Sequence, residues 1–190
     1  MLCGPPPAHA PARVVQALVA RRARNLTVIA PDLASPGCGV SLLIEGRCVT
    51  RVVAAHLGRN PVARRRMMRD GFQLELTGQD RLIERIRATG HGFPPVPDRR
   101  GEAEPGRTEG GSVLVDLPLR AQFAVLAASE ADAWFNLSYA ANGLALATTM
   151  AQAADCVIAE VDILHAGRPL PSAVVQTSGV LVSYVVRPAR

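Results

Sequence analysis

The stretch Leu74-Glu-Leu-Thr-Gly-Gln-Asp-Arg-Leu-Ile-Glu-Arg-Ile-Arg-Ala-Thr-Gly-His-Gly-Phe-Pro94 holds a strand and a helix in close succession. Residues 72–76 alternate apolar and polar side chains, a pattern typical of a strand. The helix that follows places Leu82 and Ile86 on one face, and Gly90 is its predicted C-terminal cap. A strand that leads directly into an amphipathic helix indicates an α/β protein.

Further strands and helices alternate on both sides of this stretch. Apolar runs predict strands at 26–30, 49–55, 113–115, 123–127, 136–139, 156–161 and 180–186. Helical periodicity and capping residues predict helices at about 11–24, 40–44, 61–70 and 144–153. Several strands are continuous apolar runs, which is typical of a parallel sheet covered on both faces. The sequence therefore predicts an α/β fold with a mostly parallel sheet and helices on both faces.

Two segments fall outside this pattern. Residues 1–11 contain four prolines and are predicted to be irregular. Residues 91–111 are rich in Pro, Gly, Arg and Glu and are predicted to form a surface loop. No shift in composition marks a second domain, so one domain over residues 1–190 is expected. In sheets of this kind, the ligand crevice lies beyond the carboxyl ends of the strands.

The composition excludes several kinds of chemistry. All 21 basic residues are arginine, so the chain offers no lysine for a Schiff base, a P-loop or a general base. The net charge is +5, which is compatible with an anionic ligand but does not identify one. Hydrophobic residues make up 48% of the chain and aromatic residues 4%, which indicates an aliphatic core. No apolar run approaches the roughly 18 residues of a membrane span, so no membrane partner is expected.

Metal and disulfide sites are not indicated either. The four cysteines show no CxxC spacing, and the four histidines have no neighbour at ligand spacing, so we expect no metal site. The first twenty residues lack the pattern of a signal peptide, so the expected location is the cytoplasm.

The densest basic feature is Arg64-Arg65-Arg66, with Arg59 and Arg69 beside it. It fits either a patch for phosphate or nucleic acid or a solvated helix face. Because no base-stacking aromatic residues interleave with these arginines, no nucleic-acid partner is expected. The sequence also contains no GxGxxG fingerprint, Walker motif or GxSxG elbow. Taken by itself, it holds no self-sufficient catalytic constellation.

The stretch 74–94 resembles the alpha subunit of family I coenzyme A transferases, the succinyl-CoA:3-oxoacid and 3-oxoadipate type. The family pattern there is ELELTPQG, then TLAERIRA, then GGAGIP. The matching residues are Gln79, Leu82, Glu84, Arg85, Arg87, Ala88, Gly90, Gly92 and Pro94. Weaker similarity extends over nearly the whole chain, and Ala131-Asp132 and Asn136-Leu137 occupy the family's AD-x-x-GNL turn.

The resemblance implies a fold, a chemistry and a partner. The fold would be the α/β CoA-transferase alpha-subunit (NagB/RpiA-like) type. In the family, the nucleophile that attacks the acyl-CoA thioester is a glutamate of the beta subunit, so no catalytic residue is expected in this chain. The substrates would be an acyl-CoA of the succinyl-CoA type and a 3-oxoacid or related carboxylic acid. Coenzyme A thioester would be a substrate rather than a permanently bound cofactor, and the partner would be a beta subunit in a hetero-oligomer.

The resemblance also implies substrate-binding residues, which are Gln79, Gly90, Gly92 and Asn136. For Gln79, a polar side chain that caps the helix start is an equally good interpretation. The chain departs from the family pattern at Arg13, where the family has asparagine, and at Phe135, where it has glycine. The family's opening strand is also missing. A second hypothesis therefore stays open: a non-catalytic or degenerate CoA-transferase-like structural subunit.

Overall fold

The computed structural model describes residues 1–4, 11–57, 60–70, 72–92, 96–97, 104–108, 111–139 and 145–187. The helices are α1 Ala12–Ala20, α2 Gly39–Glu45, α3 Pro61–Asp70, α4 Gln79–Gly90 and α5 Ala145–Gln152. The strands are β1 Leu2–Cys3, β2 Leu26–Asp32, β3 Val49–His56, β4 Gln73–Leu76, β5 Val96–Pro97, β6 Glu104–Thr108, β7 Gly111–Asp116, β8 Ala121–Asp132, β9 Leu137–Ser138, β10 Ala154–His165 and β11 Tyr184–Val186.

Two parallel sheets form the centre of the fold. The first sheet has the order β1-β8-β10-β11 with all strands parallel, and β9 pairs antiparallel with the end of β8. The second sheet has the order β2-β3-β4 and is also parallel. Parallel neighbours need crossover connections, which α2 and α3 provide in the second sheet. The predicted α/β class with mostly parallel strands is confirmed.

Helices cover both faces, as predicted. One cluster of buried side chains includes Ile86 of α4, Met150 of α5 and Leu126 of β8. The other cluster includes Val15 of α1 and Val125 of β8. Leu126 and Val125 belong to different clusters because successive residues of a strand point to opposite faces. Full burial of each such aliphatic side chain contributes about 1.5–3 kcal/mol.

Both segments predicted to be irregular contain strands. Leu2–Cys3 forms β1 because it pairs in parallel with Val125 and Leu126. Within 91–111, β5, β6 and the start of β7 belong to an antiparallel sheet of order β5-β7-β6. Composition indicates a loop there, but strand formation depends on pairing with distant residues, which local sequence does not encode. The prediction of irregular structure was therefore wrong for these strands.

The predicted strand 180–186 is shorter in the structure. Its first residues form a 3-10 turn, Gly179–Leu181, and only Tyr184–Val186 pairs with β10 as β11. The Ser178 side chain accepts a hydrogen bond from the Val180 N–H and caps this turn. Apolar periodicity alone does not distinguish a short turn of this kind from a strand.

The arginines of α4 connect distant elements. Arg85 is buried and pairs with Glu75 of β4, and Arg81 pairs with Asp116. Glu75 also pairs with Arg51 of β3. Burial alone would raise the pKa of Glu75, but the hydrogen bonds and charges of the two arginines lower it below its usual value. This network fixes α4 against the second sheet.

Candidate active site

The carboxyl ends of β2, β3 and β4 meet at one edge of the second sheet, which we call the carboxyl edge. Helices α2, α3 and α4 begin just beyond it. The first N–H groups of a helix have no partner within the helix, and the helix dipole adds partial positive charge there. Such an edge suits anionic groups, and it is where open α/β sheets bind ligands.

Asn60 organises the loop that leaves β2. Its Oδ1 accepts hydrogen bonds from the N–H groups of Val62 and Ala63 at the start of α3, at 3.1 and 3.0 Å. Its Nδ2 donates to the carbonyls of Leu33 and Ala34. The side chain is only 3% exposed. Asn60 is therefore the N-cap of α3, and it also links α3 to the loop that follows β2.

The start of α4 is exposed at the carboxyl edge. The N-cap residue is Gly78, which has no side chain that could cap the first N–H groups. Gln79 follows with an exposed side chain. The Thr77 Oγ1 is buried without a partner among the described residues. A carboxylate placed here would lie beside the backbone N–H groups of the first turn of α4 and the Gln79 amide.

The two glycines predicted to bind substrate lie at the other end of α4. A helix of this length separates Gln79 from Gly90 by about 16 Å along the axis. A Cβ on Gly90 would lie 2.9 Å from the Gln152 Cβ, so a glycine here allows α4 and α5 to approach closely. Gly92 is exposed and has a φ of +67°, which favours glycine. The structure therefore does not bring these glycines close to Gln79.

Asn136 belongs to a turn organised by Asp132 at the carboxyl end of β8. Asp132 has 0% exposure and accepts hydrogen bonds from the N–H groups of Trp134, Asn136 and Leu170 and from Asn136 Nδ2. Burial alone would raise the pKa of Asp132, but these bonds lower it below its usual value. Asn136 Oδ1 accepts the Gly179 N–H at 2.9 Å. The Asn136 side chain thus donates to Asp132 within the turn and accepts a hydrogen bond from Gly179 outside it.

Phe135 takes the left-handed backbone conformation in the same turn. Its φ is +64°, at the position where the family pattern has glycine. The chain therefore forms the turn with a non-glycine residue, at a cost of order 1–3 kcal/mol. The four hydrogen bonds to Asp132 hold the backbone in this conformation.

Glu160 caps the N-terminus of α1. This buried carboxylate in β10 accepts hydrogen bonds from the N–H groups of Arg13 and Val14, at 3.1 and 3.0 Å. Its Oε1 also lies 3.3 Å from the Arg13 guanidinium. The start of α1 is therefore occupied by a carboxylate of the chain itself. Arg13, which stands at the position of the family asparagine, forms part of this ion pair.

Sequence reasoning missed the roles of Asp132 and Glu160. Glu160 is the single charged residue within the apolar run 156–161. A charge in a buried strand needs a partner, so its position indicated a structural role. The signal for Asp132 was weaker: it lies close to Asn136 in the turn that matches the family pattern.

Other candidate chemistry is sparse. No group of three potential metal ligands occurs in the described part of the chain. Burial raises the pKa of the Cys3 thiol to about 11, so this thiol is protonated at neutral pH. None of the helices that the structure describes is long and apolar enough to span a membrane.

The basic cluster lies on α3. Arg64, Arg65 and Arg69 are exposed on this helix, whereas Arg59 falls outside the described residues. Arg66 donates to the Ile44 carbonyl and so contacts α2. A phosphate patch and a solvated face both remain compatible with this arrangement.

Comparisons with known proteins agree with the resemblance. The family model described as Coenzyme A transferase matches residues 7–188. The acetoacetyl-CoA:acetate/butyrate CoA transferase alpha subunit of Clostridium acetobutylicum is 32% identical over 184 residues, which cover 93% of this chain and 84% of that protein.

Two solved structures share the fold. An acyl-CoA transferase from Escherichia coli, in a thioester complex with CoA, has a TM-score of 0.81 at 17% identity. The match covers 99% of this chain but 43% of that one, so this chain spans less than half of that enzyme's length. The decarboxylase AibA/AibB has a TM-score of 0.71 at 26% identity, with 94% of this chain and 72% of that chain covered. With the family match over most of its length, the chain belongs to the coenzyme A transferase family, as an enzyme subunit of the alpha type.

Proposed function

We propose that this chain is the alpha subunit of a CoA transferase that moves CoA from an acyl-CoA of the succinyl-CoA type to a 3-oxoacid or related carboxylic acid. The observation that carries the proposal is the family match over residues 7–188. The Clostridium relative is named for acetoacetyl-CoA with acetate or butyrate. Short acyl groups are therefore the substrate class to test first.

In this proposal, a separate beta subunit supplies the nucleophile. Its glutamate carboxylate attacks the thioester carbonyl, the CoA thiolate leaves, and an acyl-glutamyl anhydride forms. The thiolate then attacks the glutamyl carbonyl, which releases the donor acid and gives a glutamyl-CoA thioester. The acceptor carboxylate attacks that thioester, and the released thiolate takes the new acyl group and restores the glutamate.

The carboxyl edge of this chain forms one wall of the proposed site. The partial positive charge at the start of α4, where the N-cap residue is Gly78, favours a carboxylate of the donor or acceptor acid, and Gln79 adds an exposed amide. Asn136 is proposed to hold the turn after β8 in the conformation that binds substrate. Gly90 and Gly92 are proposed to act at a distance, through the position of α4. Coenzyme A thioester is a substrate here, and the hetero-oligomer is proposed to work in the cytoplasm.

A non-catalytic structural subunit is the second candidate. The observation that favours it is the ion pair of Arg13 with Glu160, which places a cation where the family pattern has an uncharged amide. A long charged side chain changes both the size and the charge of that position. The similarity to a decarboxylase also shows that this fold is not limited to one reaction.

The test is chemical trapping in the assembled complex. The chain is co-expressed with a beta subunit of the CoA transferase family, and the purified complex is incubated with succinyl-CoA or acetoacetyl-CoA. Borohydride reduces an enzyme-CoA thioester, and mass spectrometry then locates the reduced glutamate on the beta subunit. A folded complex without any trapped thioester would contradict the catalytic proposal. Release of CO₂ without CoA transfer would indicate a decarboxylase.

A further inference from the structure

His56 is the last residue of β3, the central strand of the second sheet. It therefore lies at the middle of the carboxyl edge, between the ends of β2 and β4. Its side chain is exposed, and the imidazole ring forms no hydrogen bond or ion pair with any residue that the structure describes. The fold does not depend on this ring, so its N–H and nitrogen lone pair are available to a ligand.

The strand register places His56 next to the start of α4. Ala54 of β3 pairs with Leu76 of β4, and the Thr77 N–H donates to the Ala54 carbonyl at 3.0 Å, so the ladder continues past the end of β4. Two residues on from this pair, His56 lies level with Gly78, the N-cap residue of α4. Adjacent strands lie about 4.8 Å apart. His56 and the first turn of α4 therefore border the same space.

This space has room for a small ligand on the side of α4. A Cβ built on Gly78 would meet no atom of the described residues within 4 Å, and the Gln79 side chain is exposed beside it. On the other side of His56, Asp32 is its partner in the β2–β3 ladder. The Asp32 carboxylate accepts the Ala34 N–H at 2.7 Å and so holds its own loop. The hydrogen-bond donors for an anion therefore lie on the α4 side of the ring.

We propose that His56 is a substrate-binding residue that holds the carboxylate of the donor or acceptor acid. The inference rests on the proposed function and adds a residue to its site. The imidazole N–H donates to one carboxylate oxygen. The other oxygen faces the backbone N–H groups and the partial positive charge at the start of α4. Two donors from different elements fix the orientation of the acid, which a single donor does not.

Two other roles fit His56 less well. A metal ion needs more ligands than His56 and Asp32, and no group of three potential ligands occurs in the part of the chain that the structure describes. A general base is not required either, because the proposed reaction exchanges carboxylates and a thiolate without net proton transfer. Binding of the acid is the role that agrees with both the position and the chemistry.

The kinetic test compares two variants at this position in the assembled complex. His56→Leu removes the donor, whereas His56→Gln keeps a side-chain N–H. We expect His56→Leu to raise the KM for acetate about tenfold and to leave the KM for acetoacetyl-CoA unchanged, and His56→Gln to recover most of the loss. The Tm should be the same in all three proteins, because the ring contacts no described partner. An equal KM for acetate in all three would overturn the proposal.

A binding measurement separates this proposal from the proposed function. In the complex with isotope-labelled histidine, the ring resonance of His56 is assigned by its loss in His56→Gln. Acetate should shift this resonance, and uncharged acetamide should not. The His165 ring, which pairs with Glu130, is the control. A shift of His56 in a complex that forms no enzyme-CoA thioester would support the acid site and contradict CoA transfer. Thioester formation without a shift of His56, or an equal shift of His165, would overturn the role of His56 and leave CoA transfer intact.

Discussion

The contact between Gly179 and the turn after β8 allows a sharp test of the structure. A Cβ on Gly179 would overlap the Trp134 carbonyl oxygen and lie 2.9 Å from the Phe135 carbonyl carbon. Both neighbours are backbone atoms, so neither can rotate away as a flexible side chain would. Gly179→Ala therefore has to separate the turn from the segment that precedes β11.

Two contributions set the size of the effect. Overpacking of a tight site costs about 1–3 kcal/mol. Separation of the segments also weakens the bond from the Gly179 N–H to Asn136 Oδ1, and a lost hydrogen bond of this kind costs about 0.5–1.5 kcal/mol. We therefore expect Gly179→Ala to lower the free energy of unfolding by about 2–4 kcal/mol. In a protein of this size, that corresponds to a drop in Tm of roughly 5–15 °C.

Thermal and urea unfolding, followed by circular dichroism, measure this loss. The matched control is Gly167→Ala, because a Cβ there would meet nothing within 4 Å. The chain has one tryptophan, Trp134, which is 62% exposed and lies in the affected turn, so its fluorescence reports local displacement. Equal stability of the two variants, with unchanged tryptophan emission, would refute the packing described for this turn.

Three further predictions concern the buried polar network and the carboxyl edge. Asp132 has a lowered pKa in the folded state, so it stabilises the fold above the unfolded carboxyl pKa of about 3.9, and this contribution is lost as pH falls through the folded pKa. Asp132→Asn should therefore flatten the pH dependence of unfolding below about pH 4, and an unchanged urea-midpoint profile would contradict the network. Asn60→Ala should cost about 2–3 kcal/mol in urea unfolding, because it removes both the cap and the two loop bonds, whereas Asn60→Ser should keep a capping oxygen and lose less. Gln79→Ala should lower kcat/KM of the assembled complex about tenfold with an unchanged Tm, while the exposed Gln73→Ala serves as control; equal kinetics would leave Gln79 without a role in the site.

Helices with strong end signals could be predicted from sequence alone. Asn60-Pro61 marks the start of α3, and the predicted helix 61–70 matches the structure. The apolar run at 49–55 likewise predicts β3, which extends by one residue to His56. These signals are local, because capping and periodicity act between residues within a few turns of one another.

Local patterns in the chain were enough to establish the α/β class, the apolar strands and the placement of Gln79 at the start of a helix beyond a strand. The three-dimensional arrangement was needed to show that Leu2–Cys3 and Glu104–Thr108 are strands. It also shows that Asp132 holds the turn after β8 and that Glu160 caps the start of α1. Glu160 accepts a hydrogen bond from Arg13, 147 positions earlier in the chain. Pairing and capping between such distant residues depend on how the sheets assemble, which local propensity does not specify.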